Sequence, residues 1–222
     1  MFADLPVSTH QPQPPGIPAS AQAAPQAITS FCDQLRFRRG EVRSFTMREA
    51  TAGDRRAVEE LVTARTEALR RRGVNCVTPT PSALDLIGAR DDLGGPMAWV
   101  FCQDDTVLGC TAVLDRTAGI GWSAGHRIEP ALMLSGLYTH PAPQYSEVGW
   151  WITCWLRDYA RCRPQVQWLR GTVFSDRLQH RVLAREDGWE AVASSLPHTY
   201  LLQSQPRPLP ELPVVNRGPG DA

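Results

Sequence analysis

The 222-residue sequence predicts a mixed α/β fold in which helices flank one sheet. Three observations lead there. Between residues 44 and 204 the apolar residues switch repeatedly between the alternation of a strand and the spacing of an amphipathic helix. Helical segments have strands on both sides in the chain, the order of an α/β sheet. Two apolar runs, 97–101 and 107–114, bracket Asp104-Asp105, a pair suited to a tight turn, so these strands form an antiparallel hairpin.

The elements follow in order. Residues 44–50 read as the first strand. Thr51 and Asp54 supply an [ST]-x-x-[DE] helix start. Val58, Leu61, Val62 and Leu69 then recur at helical spacing until Gly73 ends the run. Arg70, Arg71 and Arg72 close this helix, where cations suit the dipole. Residues 81–90 read as a second short helix. After the hairpin, 131–139 is an apolar fourth strand with Ser135-Gly136 at its centre; an internal glycine marks a bulge or a close approach. Pro141, Pro143 and residues 144–149 form a loop. Trp151, Ile152, Trp155, Leu156 and Tyr159 share one helical face, and Pro164 ends that helix. The fifth strand is 166–174. Asp176 caps a further helix with Leu178, Val182 and Leu183 inward and Gly188 at its end, and 189–193 and 198–203 are the final strands. The order is β-α-α-β-β-β-α-β-α-β-β, without an internal repeat.

Outside this region composition shifts. Residues 1–30 are rich in Pro, Gln, Ala and Ser and offer too little apolar surface to offset ordering entropy. With the basic stretch around Arg36, Arg38, Arg39 and Arg43 they make 1–43 a disordered tail and linker, a dispensable segment or a Pro-rich docking peptide. Residues 205–222 read as a second Pro-rich tail. The folded domain is then 44–204.

Composition removes whole classes of function. Lys+Arg and Asp+Glu are both 23, so there is no net basic field for nucleic acid or anionic lipid. All the basic residues are arginine, which excludes Schiff-base and pyridoxal-phosphate chemistry and a P-loop lysine. No run approaches the roughly 18 apolar residues of a membrane span. Residues 1–30 lack the basic and apolar regions of a secretory signal. The cysteines at 32, 76, 102, 110, 154 and 162 form no C-x-x-C and no zinc spacing, so they are read as reduced, mostly buried thiols of a cytoplasmic protein. No metal is expected.

One segment carries chemistry: Leu137-Tyr-Thr-His-Pro-Ala-Pro-Gln-Tyr-Ser-Glu-Val-Gly-Trp150 runs from strand through turn into helix. A helix N-terminus presents unpaired N–H groups and partial positive charge, so a diphosphate can sit there without a cationic side chain. Gly149 lets the backbone approach it closely.

With the element order, these residues resemble the GNAT superfamily of N-acetyltransferases over roughly 45–203. Phe45-Thr-Met-Arg-Glu-Ala-Thr-Ala-Gly-Asp54 resembles the family's first strand and helix start, and Leu137-Tyr-Thr-His-Pro141 the end of its fourth strand. Gln144-x-x-Glu147-x-Gly149 is similar to its Gln/Arg-x-x-Gly-x-Gly/Ala loop, and Leu183-Ala-Arg-Glu-Asp-Gly-Trp-Glu190 to its fourth helix and Gly-Phe ending. The resemblance implies a mostly antiparallel sheet with splayed parallel fourth and fifth strands and acetyl-coenzyme A as co-substrate. It places the pantetheine arm along Leu137, Tyr138 and Thr139. The diphosphate would face Gln144, Tyr145, Ser146, Glu147, Val148, Gly149 and Trp150. The Gly136 kink would aim an N–H at the thioester carbonyl, an oxyanion-type role.

The sequence departs from that pattern in places. Glu147 stands where the loop has its first glycine, and Ala184 where the fourth helix often has an acid tyrosine. A general base is not singled out; Glu129, Tyr138 and His140 are the candidates, with ordered water as the alternative. Trp150, Trp151 and Trp155 pack in the core, or wall an acceptor pocket or a homodimer contact. The Gly-rich stretch 119–127 is a loop over the acceptor site, with Trp122 and His126 as contacts. The implied activity is transfer of an acetyl group to an amine of a small molecule or peptide. The rivals are a catalytically silent coenzyme A-binding or protein-interaction module of the same fold, and a scaffold docking through its Pro-rich tail.

Overall fold

The computed structural model describes residues 35–39, 41–74, 81–184 and 188–208. The tail residues 1–34 and 209–222, and Cys32 and Cys76, lie outside the described residues. The chain forms β1 (Leu35–Arg39), β2 (Glu41–Glu49), α1 (Arg55–Arg70), β3 (Ala98–Gln103), β4 (Thr106–Leu114), α2 (Ala124–Ile128), β5 (Ala131–Thr139), α3 (Val148–Arg161), β6 (Trp168–Val173), α4 (Asp176–Leu183), β7 (Glu190–Val192) and β8 (Tyr200–Ser204). Among the described residues these strands make one eight-stranded sheet in the order β1-β2-β3-β4-β5-β6-β8-β7. Every neighbouring pair is antiparallel except β5–β6, which is parallel. This is the mixed, mostly antiparallel sheet expected from the sequence, with the expected fourth and fifth strands as β5 and β6.

Four local readings need correction. Residues 35–39, read as linker, pair with β2 from Leu35↔Phe45 to Arg39↔Glu41. Residues 81–90 form turns rather than a helix. Ser82 and Asp85 do make a helix-start arrangement, with the Ser82 N–H and Oγ–H both donating to Asp85 Oδ2 at 2.8 and 2.7 Å. Gly88 then adopts a φ of 82°, which stops any helical continuation. The Gly-rich stretch contains the short helix α2, capped by Ser123, whose side chain accepts from the His126 N–H. Ser175, not Asp176, caps α4, and Leu178 is 44% exposed instead of inward.

Two helices close opposite faces of the sheet. α1 starts where Asp54 accepts from the Thr51 N–H and Oγ–H, both at 2.8 Å, and takes two bonds from Arg48, both at 2.7 Å. It ends in a Schellman cap, with Gly73 at φ 72° and the Val74 N–H bonded to the Leu69 carbonyl at 3.1 Å. Its Val58 and Leu61 pack on Ala98, Val100, Cys102, Cys110 and Tyr138. On the other face, α3 buries Val148, Ile152, Trp155, Leu156 and Tyr159 against Met47, Trp99, Phe101 and Leu108. Trp155 lies 4.6 Å from Trp99 and 5.0 Å from Tyr159, ring centre to ring centre, so the α3 tryptophan at that position belongs to the core. α3 sits so close to β4 that a Cβ on Gly109 would lie 2.8 Å from Ile152 Cδ1 and 2.9 Å from Val148 Cγ1. A side chain there would force Ile152 and Val148 to shift, so glycine lets the start of α3 lie this close to the sheet.

Candidate active site

The site begins with a fault in the sheet. Along β4–β5, Ala112 pairs with Ser135 and Cys110 with Tyr138, so Gly136 and Leu137 together oppose Thr111 alone. Gly136 adopts a φ of 68°, a conformation that glycine reaches without steric cost. The bulge expected from Ser135-Gly136 is therefore present. It shifts the alternation: Leu137 joins the α3-side core, whereas Tyr138 packs with Cys110 on the α1 side.

The same bulge parts β5 from β6. Their parallel ladder runs from Ala131↔Trp168 to Leu134↔Gly171 and stops there. Both strands continue, β5 to Thr139 and β6 to Val173, but Thr172 and Val173 pair with β8. The β6-facing edge of residues 135–139 thus has no ladder partner. A strand edge outside the ladder is where an extended ligand can add its own backbone bonds.

The end of β5 feeds the anion-binding turn. The His140 N–H bonds to the Leu108 carbonyl at 2.8 Å, holding the turn to β4. A short 3₁₀ turn, Pro143–Tyr145, follows, and α3 begins at Val148. Its first helical bond runs from the Trp151 N–H to the Glu147 carbonyl, 3.0 Å. The amides of Val148, Gly149 and Trp150 therefore belong to the first turn, which lacks intrahelical acceptors. A Cβ on Gly149 would meet Thr139 Cγ2 at 3.6 Å and Leu137 Cδ2 at 3.8 Å. The first turn of α3 thus lies against the end of β5, where the ladder with β6 has stopped. Gln144, Ser146 and Glu147 are exposed, Tyr145 and Trp150 half-buried, and Val148 buried. The exposed Glu147 makes no side-chain cap bond to the amides of this turn.

The three base candidates are not brought together. Glu129 accepts from Arg170 Nη2 on β6, which makes it a counter-ion. Tyr138 is 9% exposed and packs in the α1-side core. His140 accepts the Ala142 N–H on Nδ1 at 3.2 Å. Its neutral ring therefore holds a proton on Nε2 and has no free basic nitrogen. Its ring meets Tyr145 edge-on at 4.9 Å.

Arg170 is a residue the sequence did not single out. Only 1% exposed, it donates to Thr117 Oγ1 at 2.8 Å, to the His126 carbonyl and to Glu129, and lies 5.2 Å from the Trp122 ring centre. Trp122 donates from Nε1 to Thr172 Oγ1 at 3.2 Å. The Gly-rich stretch is thereby pinned over β6, and Trp122, expected as an acceptor contact, is an anchor buried to 4% exposure. Nothing in the arginine's sequence neighbours signals this, because its partners lie 41–53 positions away. Burial pushes the Cys110 thiol up to about 12, so this cysteine is not a nucleophile at neutral pH.

No protein-family model matches the sequence, and the search of curated proteins finds no match. Solved structures do resemble it. A GNAT-family acetyltransferase from Streptococcus agalactiae is 15% identical with a TM-score of 0.52, over 72% of this chain and 95% of that one. The PaiA N-acetyltransferase of Thermoplasma acidophilum, solved with coenzyme A, is 11% identical with a TM-score of 0.52, over 73% and 99%. A GNAT-family acetyltransferase from Listeria monocytogenes is 13% identical with a TM-score of 0.50, over 77% and 99%. The chain therefore has the GNAT fold.

Proposed function

We propose that this protein is an acyltransferase that moves an acetyl group from acetyl-coenzyme A to an amine. The observation that carries the reading is the parting of β5 from β6 at the Gly136 bulge, with the first turn of α3 at the end of the same strand. A strand edge that has left its ladder suits a linear thioester arm. A helix N-terminus at its end suits a diphosphate. Leu137, Tyr138 and Thr139 would line the arm with their backbone, and residues 145–150 the phosphates. The coenzyme A bound to the Thermoplasma protein of the same fold supports this reading.

Transfer is direct in this reading. The amine nitrogen attacks the thioester carbonyl, and strand amides near the bulge stabilise the developing oxyanion. The C–S bond then breaks and the thiolate leaves; its pKa of about 8.5 makes it a tolerable leaving group without an acid at Ala184. Since Glu129, Tyr138 and His140 are all engaged, the amine reaches the thioester as the neutral base or gives its proton to water. The rate should therefore rise with pH toward the pKa of the acceptor amine, without a plateau near pH 7.

The test is calorimetric titration of the full chain with acetyl-coenzyme A, followed by thiol-release assays over a set of amines. Micromolar binding with turnover supports the reading, and no binding at millimolar ligand refutes it. The engaged base candidates and Ala184 favour a second reading, a silent module that binds the nucleotide without turnover. Binding with no thiol release from any amine would select it.

A further inference from the structure

We propose that Arg71 and Arg72, beyond the end of α1, form a binding subsite for the 3′-phosphate of coenzyme A; this rests on the acyl-coenzyme A reading above. A cavity of about 340 Å³ opens between the α1 terminus and the turn that leaves β5, lined by Ala68, Arg71, Arg72, His140, Pro141 and Ala142. One wall, 140–142, is the chain that runs directly into the 3₁₀ turn and the first amides of α3. Only residues 143–147 separate that wall from the first amides of α3, so the cavity and the diphosphate turn adjoin along the chain.

The chemistry of the lining fits a phosphate monoester. Both arginines are exposed, and neither guanidinium has a hydrogen-bond or ion-pair partner among the described residues. Each offers five N–H donors in a planar fork that matches phosphate oxygens. Their joint charge of two balances a dianionic monoester. His140, with Nδ1 already accepting from Ala142, keeps its Nε2 proton as a further donor. The negative end of the α1 dipole lies here, and the two guanidinium charges have to outweigh it. The Schellman cap reduces the number of bare carbonyls, engaging those of Leu69 and Arg70 through the amides of Arg72, Gly73 and Val74.

The experiment compares acetyl-coenzyme A with 3′-dephospho-acetyl-coenzyme A on the full chain by calorimetry. The proteins are wild type, the double variant Arg71→Gln/Arg72→Gln, and Arg71→Lys/Arg72→Lys. Wild type should prefer the 3′-phosphorylated nucleotide by about 10–100-fold, the range for charge-assisted bonds from two guanidinium groups. The Gln variant should bind both nucleotides within about 3-fold of each other at the dephospho affinity, and the Lys variant should recover part of the preference. Thermal melts check that these exposed substitutions leave the fold intact. If wild type binds both nucleotides equally, or the Gln variant keeps the preference, this assignment is overturned while the acyl-coenzyme A reading stands. If wild type binds neither, both fall. An inorganic phosphate arm separates a free-anion site: stabilisation by phosphate alone equal to that by the nucleotide would overturn the assignment to coenzyme A.

Discussion

Replacing Gly149 with aspartate separates ligand binding from folding by sign. The residue lies in the first turn of α3. A Cβ there makes ordinary contacts, the nearest at 3.6 Å to Thr139, so the fold admits a side chain. A carboxylate near a helix N-terminus favours the helix by about 0.3–1 kcal/mol. In helix propensity aspartate gains only about 0.1–0.3 kcal/mol over glycine, whereas alanine gains roughly 0.5–1. Gly149→Asp should therefore melt at or above the wild-type temperature. Binding moves the other way. For a carboxylate about 6 Å from a phosphate charge, an effective dielectric of about 20–40 gives a repulsion of about 1.4–2.8 kcal/mol. That is about a 10–100-fold loss of acetyl-coenzyme A affinity per phosphate charge, less at high salt. Calorimetry at low and physiological salt measures it, with Gly149→Ala as the uncharged control. A folded Asp variant with unchanged affinity would refute the anion cradle. Equal losses in the Ala and Asp variants would show that shape, not charge, is sensed.

The remaining expectations concern the frame around the site. Gly109→Ala should destabilise by about 1–3 kcal/mol through overpacking and weaken nucleotide binding, since its Cβ would lie 2.8 Å from Ile152 and displace α3; denaturant melts and titration check both. Glu129→Gln should lower the melting temperature by weakening the Arg170 ion pair, and with any active amine should leave the pH–rate profile unchanged; a folded variant that loses kcat would restore Glu129 as base. The Arg48 guanidinium holds the Asp54 carboxyl well below the usual carboxylate range. Its stabilisation is then complete above the ordinary carboxylate pKa of about 4 and is lost as pH falls through that value toward the depressed one. Asp54→Asn should accordingly cost about 1–3 kcal/mol at pH 7, with the difference from wild type narrowing near pH 2 in melts across pH. Of the described cysteines, Cys102, Cys110 and Cys154 are buried and Cys162 is half-exposed, so only Cys162 among these should react with a thiol reagent under native conditions.

Local chemistry made much of this protein legible from its residues. Thr51 and Asp54 marked the α1 start, Gly73 its end, Asp104-Asp105 the hairpin and Gly136 the bulge, because caps, turns and bulges depend on neighbours within a few positions. The order of periods then specified a mixed sheet. The same locality misled at 81–90, where Ser82 and Asp85 form a capping arrangement but Gly88 forbids the helix. It also left β1 unread, since a strand at 35–39 is defined by its pairing with β2 rather than by its polar sequence.

What only the tertiary structure decided was which groups are spent and which are spare. Glu129 looked like a base until β6 brought Arg170 to it, and Trp122 like an acceptor contact until Thr172 and Arg170 surrounded it. Arg71 and Arg72 looked like the charged end of a helix until α1 was laid across β4 and β5, which brings them to the turn after β5. The physical reason is common to all three. A side chain's charge and hydrogen-bonding capacity are written in its identity, but whether they are consumed depends on partners that chain folding brings from tens of residues away.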